Sequence, residues 1–309
     1  MKIERAHTLY SPALRYFVAV AEHGSIREAA RQLNIASSAV NRQILGLEEE
    51  FGIQVFERVG RGLRISQAGE LLLKHAKSVL TDFEAVTEQL DDLRGLRQGV
   101  VRIASVESVA DAVLPGLSQS FLELYPGITL EVTITSSEKV SRMISSAEAH
   151  IGFTFNPPDH ETLREIVKWE LKVGAVVAPH HPLAGRESCS FSDCLEYPLV
   201  LPAGNLSLAK IIEVPLARLK SKPKSFIKAN SLRFMRNIVR NGEHVTFQTI
   251  LGIEAERKAG LLAHIELTDT DIPRDRLVVL TNATRQLSLA PSIFAEHAET
   301  ALKDYISNN

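Results

Sequence analysis

The sequence predicts an α/β protein in three parts: an N-terminal winged helix-turn-helix over residues 1–66, a long linker helix over 67–97, and a C-terminal half over 98–309. Three observations carry this reading. A helix-turn-helix pattern followed by a basic hairpin fills residues 14–65, an apolar seam runs from Leu72 to Leu93 at three-four spacing, and from Val100 onward strand-like and helix-like runs alternate.

Leu14, Phe17, Val18 and Ala21 recur at helical spacing and give the first helix one apolar face, which Gly24 ends. Ser25-Ile26-Arg27-Glu28 matches a capping box, in which the serine hydroxyl takes a free N–H and the glutamate reaches back. Ala29 and Ala30 are small enough to let another helix approach. A turn at Asn34-Ile35-Ala36 opens a third helix. There Val40, Ile44 and Leu47 face inward, and Ser37, Ser38, Asn41 and Arg42 face outward near the N-terminal end, where a recognition helix meets base edges. Phe56 to Ile65 reads as a glycine-turned hairpin whose Arg58, Arg61 and Arg64 are placed for phosphates or a minor groove. The order of cap, alanine pair, polar face and arginine wing favours DNA binding over a small helical domain with a solvated hairpin.

This segment resembles the N-terminal domain of LysR-type transcriptional regulators. The residues that carry the resemblance are Phe17, Gly24-Ser25, Ala29-Ala30, Leu33, Ala39-Val40, Gln43-Ile44, Leu47-Glu48, Gly52, Phe56, Arg58, Ser66 and Ala68-Gly69. The family usually has Ser or Thr in the slot of Ala36, so the cap is expected to move to Ser37. It often has Gln in the slot of Ser37 and Ser in that of Asn41, which points to a different base preference.

From Gly69 the positions Leu72, Ala76, Val79, Phe83, Val86, Leu90 and Leu93 form the a/d seam of a coiled coil, with Lys74, Lys77, Asp82, Glu84, Glu88, Asp91 and Asp92 between them. Dimerisation through this seam is expected over packing within the subunit. The resemblance further implies a dimer of dimers, a homotetramer.

In the C-terminal half, strands are expected at 100–104, 129–134, 151–155, 173–178, 199–201 and 277–280. Helices are expected at 108–125, 138–146, 208–217, 231–240 and 292–305, around parallel strands. This half resembles the effector-binding domain of the same regulators, a two-lobed fold similar to periplasmic binding proteins. The carrying residues are Ile103, Leu114-Pro115, Phe121, Tyr125-Pro126, Ile151-Gly152, Val239, Gly242, Gly260-Leu261, Leu287-Ser288 and Phe294, with His150 and His244 as departures. The resemblance implies lobe I at about 98–170 and 274–309 and lobe II at about 171–273.

Ligands of open α/β folds sit beyond the carboxyl ends of strands, against helix N-termini. That rule selects Ser108, Ser136, Ser137 and Asn156 from lobe I. From lobe II it selects Pro202-Ala203-Gly204-Asn205 after a strand, Asn230-Ser231 at a helix cap and Thr246-Phe247-Gln248 after Val245, with Asn205, Ser231 and Thr246 as the site residues. Ser108 and Ser137 also fall in slots that contact effectors in relatives. Hydroxyls and helix N-termini without a committed Arg or Lys point to a small carboxylate or similar polar metabolite.

Composition agrees with a soluble globular protein: 309 residues, 45% hydrophobic and 23% charged. Net charge is −2, yet residues 1–66 carry nine Lys/Arg against seven Asp/Glu (+2), and 67–309 carry 26 against 30 (−4). That modest basic bias suits a sequence-specific binder rather than a nucleic-acid coat. No membrane-length apolar stretch and no h-region are present, so a cytoplasmic location and no membrane partner are expected. Cys189 and Cys194 read as free thiols. His180-His181, His160-Glu161 and His297 fit no HExxH spacing, so neither an enzyme nor a metal or other cofactor is expected. A solute-binding transport protein fits the C-terminal half alone. The expected partners are double-stranded promoter DNA, further copies of the chain, RNA polymerase and a small-molecule effector.

Overall fold

A computed structural model describes residues 11–59, 62–92, 99–218 and 226–307. Arg61 and Leu93 lie outside the described residues. The chain forms two compact units, Met1–Gly95 and Leu96–Asn309.

In the first unit α1 (Pro12–His23), α2 (Ile26–Leu33) and α3 (Ser37–Phe51) precede a hairpin of β1 (Phe56–Val59) and β2 (Gly62–Ile65), then α4 (Gln67–Asp92). Proline suits the first turn of α1 because that N–H has no helical partner, and Ser11 caps the end by accepting from Ala13 N at 3.3 Å. The buried face of α1 is Ala13, Phe17 and Val20; Leu14, Val18 and Ala21 border it, so the expected face is turned by part of a residue step. Gly24 ends α1 at φ 61°, a left-handed conformation natural to glycine. Ser25 accepts from Glu28 N at 3.4 Å, but the box does not close, because the Glu28 carboxylate takes Arg31 Nε at 3.2 Å instead. A second correction concerns α3. Its cap position is Ala36, without a side-chain bond, and Ser37 is the first helical residue rather than the cap.

Phe17, Val20, Ala29, Ala30, Val40, Ile44, Val55, Phe56 and Ala76 make the core of this unit. The hairpin is tied to it at three points. Glu48 Oε1 accepts from Val55 N (2.9 Å) and Phe56 N (3.3 Å), Leu63 N donates to Gly24 O (3.0 Å), and Ser66 Oγ donates to Gln54 O (2.7 Å) while accepting from Gly69 N (3.0 Å). A Cβ on Gly69 would stand 2.2 Å from Val55 O, so only glycine lets α4 start this close to the hairpin.

The seam of α4 divides between two environments, which corrects the expectation of one uniform interface. Ala76 is fully buried in the unit's own core, Leu72 packs on that core, and Lys77 pairs with Glu22 of α1 at 3.2 Å. Phe83 is also buried, whereas Val86 and Leu90 are 51% and 54% exposed.

The second unit begins with β3 (Gly99–Ser105), α5 (Glu107–Ala112), α6 (Leu114–Leu124), β4 (Ile128–Ile134), α7 (Ser137–Ser145), β5 (Ile151–Phe155) and β6 (Leu163–Leu171). It continues through β7 (Val173–Val177), β8 (Ser188–Cys189), α8 (Phe191–Cys194), β9 (Leu199–Pro202), α9 (Ser207–Ala217), β10 (Phe226–Ala229), α10 (Leu232–Arg240), β11 (Val245–Thr249), α11 (Glu254–Lys258) and β12 (Ala263–Leu267). It closes with β13 (Asp275–Asn282) and α12 (Leu289–Ser307). One sheet has the order β4-β3-β5-β13-β6, the other β10-β9-β11-β7-β12-β8. Each has its own apolar core, one around Ile103, Phe121, Phe153 and Phe294, the other around Val176, Phe191, Leu199 and Phe247.

The sheets are mixed, not parallel as expected. β13 runs antiparallel to both β5 and β6, and β7 runs antiparallel to β11 and β12. The unpredicted β6 pairs along the whole of β13. The helix expected over 108–125 is two helices that break at Val113, because Pro115 has no N–H to continue the first and its ring would crowd the preceding turn.

Candidate functional site

On α3 the outward residues are Ser37, Ser38, Asn41 and Arg42, all exposed at its N-terminal end. Val40 and Ile44 hold the opposite face in the core, so the side-chain period fixes which residues point out. Arg58 and Arg64 are exposed on the two hairpin strands. Arg64 pairs with Glu57 across the register (Nη2 to Oε2, 2.7 Å). Arg58 and Arg42 are unpaired among the described residues.

Between the sheets of the second unit lies a cavity of about 390 Å³. Ser108 in the first turn of α5, Ser136 and Ser137 at the start of α7, and Asn205 after β9 line it, so four of the seven expected positions converge. Asn156 lines the adjoining cavity with Lys210. Its φ is 45°, and its side chain is committed to the chain crossing, donating to Asp275 Oδ1 (2.7 Å) and accepting from Arg276 N (3.1 Å). Ser231 caps α10, accepting from Phe234 N at 3.3 Å, and does not line the cavity. Thr246 is displaced more fully. It is buried within β11 and donates to Val200 O at 2.7 Å, because the strand extends past it to Thr249.

Asn230 and Gln248, which belong to the segments the sequence selected around Ser231 and Thr246, also line the cavity, as do Glu107, Ser207, Thr249 and Asp275, which sequence reasoning passed over. Glu107 and Asp111, one turn apart on α5, hold α10 across the cleft. Glu107 accepts from Ser231 Oγ (3.4 Å), Leu232 N (3.2 Å) and Arg233 N (3.0 Å), a carboxylate on a helix N-terminus, and Arg236 Nη2 donates to Asp111 at 2.8 Å. Gly252 completes the contact at φ 89°, where a Cβ would stand 3.0 Å from Ser108 Cβ. Asp275 opens β13 and accepts from Asn156 and, at 3.2 Å, from Ser207 Oγ; burial pushes its carboxyl up to about 7 against those two bonds.

Two of the histidines pack within the second unit. His181 is buried against Tyr197 and its Nδ1 accepts from Leu183 N, and His297 shares a 2.8 Å hydrogen bond with Ser120. No group of three or more His, Cys, Asp and Glu among the described residues is placed to hold a metal. Likewise, no described helix is long and apolar enough to cross a membrane.

Two family models match the chain. One, the "bacterial regulatory helix-turn-helix protein, lysR family", covers residues 12–70, and the other, the "LysR substrate binding domain", covers residues 94–303. A relative, the "probable RuBisCO transcriptional regulator" of Cyanophora paradoxa, is 27% identical over 295 residues, 93% of this chain and 90% of its own. A full-length OxyR variant from Pseudomonas aeruginosa shares the fold at TM-score 0.72 and 15% identity, over 94% of this chain and 93% of that one. A full-length CbnR in complex with its target DNA does so at TM-score 0.66 and 19% identity, over 94% and 99%. With a helix-turn-helix that binds DNA and a substrate-binding domain that takes a small-molecule effector, the chain belongs to the LysR family of transcriptional regulators and is not an enzyme.

Proposed function

We propose that the chain reads a promoter through α3, with Asn41, Ser37 and Ser38 meeting base edges and Arg42 a phosphate. Arg58, Arg61 and Arg64 of the hairpin meet the flanking backbone or minor groove. The observation that carries this is the exposed polar face at the start of α3, backed by an apolar face in the core. Of these four, Asn41 offers both a donor and an acceptor from one amide, as adenine recognition requires.

The distal half of α4 is the proposed dimer contact, since Val86 and Leu90 leave apolar side chains in solvent while Leu72 and Ala76 are already covered. Dimers of dimers and contact with RNA polymerase in the cytoplasm complete the reading. Domain limits of 1–66, 67–97 and 98–309 serve it, with lobes at about 98–170 plus 274–309 and 171–273. An effector in the cleft acts by contacting two arrangements unequally, and Ser108, Ser136, Ser137 and Asn205 are its proposed first contacts.

Leu90→Glu tests the assembly, because an unpaired charge in an apolar contact is costly. Sedimentation should show a smaller species and gel shifts a loss of tight promoter binding. Unchanged mass and affinity would reject the distal half of α4 as the interface.

A further inference from the structure

The polar lining of the cleft is one-sided. Gln248 of β11 is 1% exposed and lines the cavity, and its Oε1 has no hydrogen-bond partner among the described residues. The amide is oriented by its one hydrogen bond: Nε2 donates to Leu232 O at 3.4 Å, and turned over, the oxygen would face a carbonyl oxygen. Asp275, also 1% exposed, lines the same cavity and receives two neutral donors, Asn156 Nδ2 and Ser207 Oγ, with no cation among the described residues. Glu107 and Asp275 are the two charged side chains among the described lining residues, and both are acidic. Glu107 is already engaged by α10, which leaves Gln248 and Asp275 as the groups in deficit.

A buried acceptor without a donor is unfavourable, and so is a buried carboxylate without a counter-charge. The chemistry that answers both kinds of deficit is a protonated amine, with three N–H donors and a positive charge. A carboxylate placed there would meet a second carboxylate and a lone carbonyl oxygen. We propose that the cleft takes a small ligand presenting a primary ammonium group, whose N–H donors go to Gln248 Oε1 and the Asp275 carboxylate. This revises the small carboxylate expected from hydroxyls and helix N-termini. It rests on the cavity being the effector site. Acceptor groups elsewhere on the same ligand belong at Ser136 and Ser137, where α7 begins without a side-chain cap. The raised Asp275 carboxyl fits this chemistry, since a bound ammonium would hold it ionised.

Calorimetric titration of the full chain with ethylamine, ethanolamine and 1,4-diaminobutane, against acetate, glycolate and succinate, tests the proposal. At least one amine should bind saturably, with its Kd raised tenfold or more in both Asp275→Asn and Gln248→Met, near-isosteric changes whose folding is checked by circular dichroism. Absence of amine binding, or amine binding indifferent to both substitutions, overturns the proposal. The cavity-filling Ser137→Trp separates this failure from that of the effector site itself. Carboxylate binding that Ser137→Trp abolishes removes the ammonium and keeps the cleft. Carboxylate binding that survives it, or no binding of either class, removes both.

Discussion

The groups proposed to meet DNA come from two short stretches, Ser37–Arg42 and Arg58–Arg64, whereas those around the cleft come from Glu107, Ser137, Asn205, Gln248 and Asp275. In the first unit nearly every such side chain is exposed, and the framework behind it is closed by bonds spanning few residues, such as Glu48 to Val55 and Ser66 to Gln54. In the second unit Gln248 and Asp275 are buried, Glu107 and Ser137 half-buried and Asn205 exposed, and two of the bonds that frame the cleft span more than a hundred residues, Asn156 to Asp275 and Glu107 to Leu232. A surface that reads a long polyanion needs exposed groups on a stiff local support. A cleft that selects a small molecule needs desolvated groups gathered from both lobes.

That contrast predicts where pH acts. Asp275 holds its proton up to about 7 in the folded chain, against about 4 when unfolded. Between those values the folded state binds more protons, so stability falls as pH rises from about 4 to about 7, then levels off. Three units correspond to a ceiling of about 4 kcal/mol. Asp275→Asn should flatten this dependence and raise the melting temperature at pH 8, and urea titrations at pH 5 and 8 check it. Gly69→Ala comes next in size and acts on the other unit. Its methyl would collide with Val55 O, for a cost of about 3 kcal/mol. Amide exchange should quicken over residues 12–59 and stay unchanged over 99–218. The smallest effect belongs to Arg58→Ala, which should lower the slope of log affinity against log salt by about 0.9, with every DNA sequence affected alike.

The same contrast decides what could be read in advance. The exposure of the proposed DNA face was legible because a helix period and one glycine-turned hairpin suffice to place Asn41 and Arg58 at the surface. The supporting roles of Glu48, Ser66 and Gly69 were not legible, since they depend on how closely α4 begins to the hairpin. In the cleft, the rule that ligands sit past strand ends found Ser108, Ser136, Ser137 and Asn205. In the run Thr246-Phe247-Gln248 it is Gln248, not Thr246, that lines the cleft, because β11 continues to Thr249. Asp275 gave no local signal except a charged residue before an apolar run, because its hydrogen-bond partners, Asn156 and Ser207, lie far away in the sequence. The seam of α4 misled for a related reason: three-four spacing shows that a face is apolar, and not whether its own core or a second chain covers it.

Binding selection from random DNA, run on the wild type and on Asn41→Ala, tests the central claim most directly, that sequence is read at the start of α3. The wild type should enrich a two-fold symmetric site. The variant should lose preference at one position in each half-site, a cost of about 1–3 kcal/mol there, while keeping its affinity for unrelated DNA. Identical enriched sites, or an equal loss on specific and random DNA, would show that Asn41 does not read bases and would contradict the account.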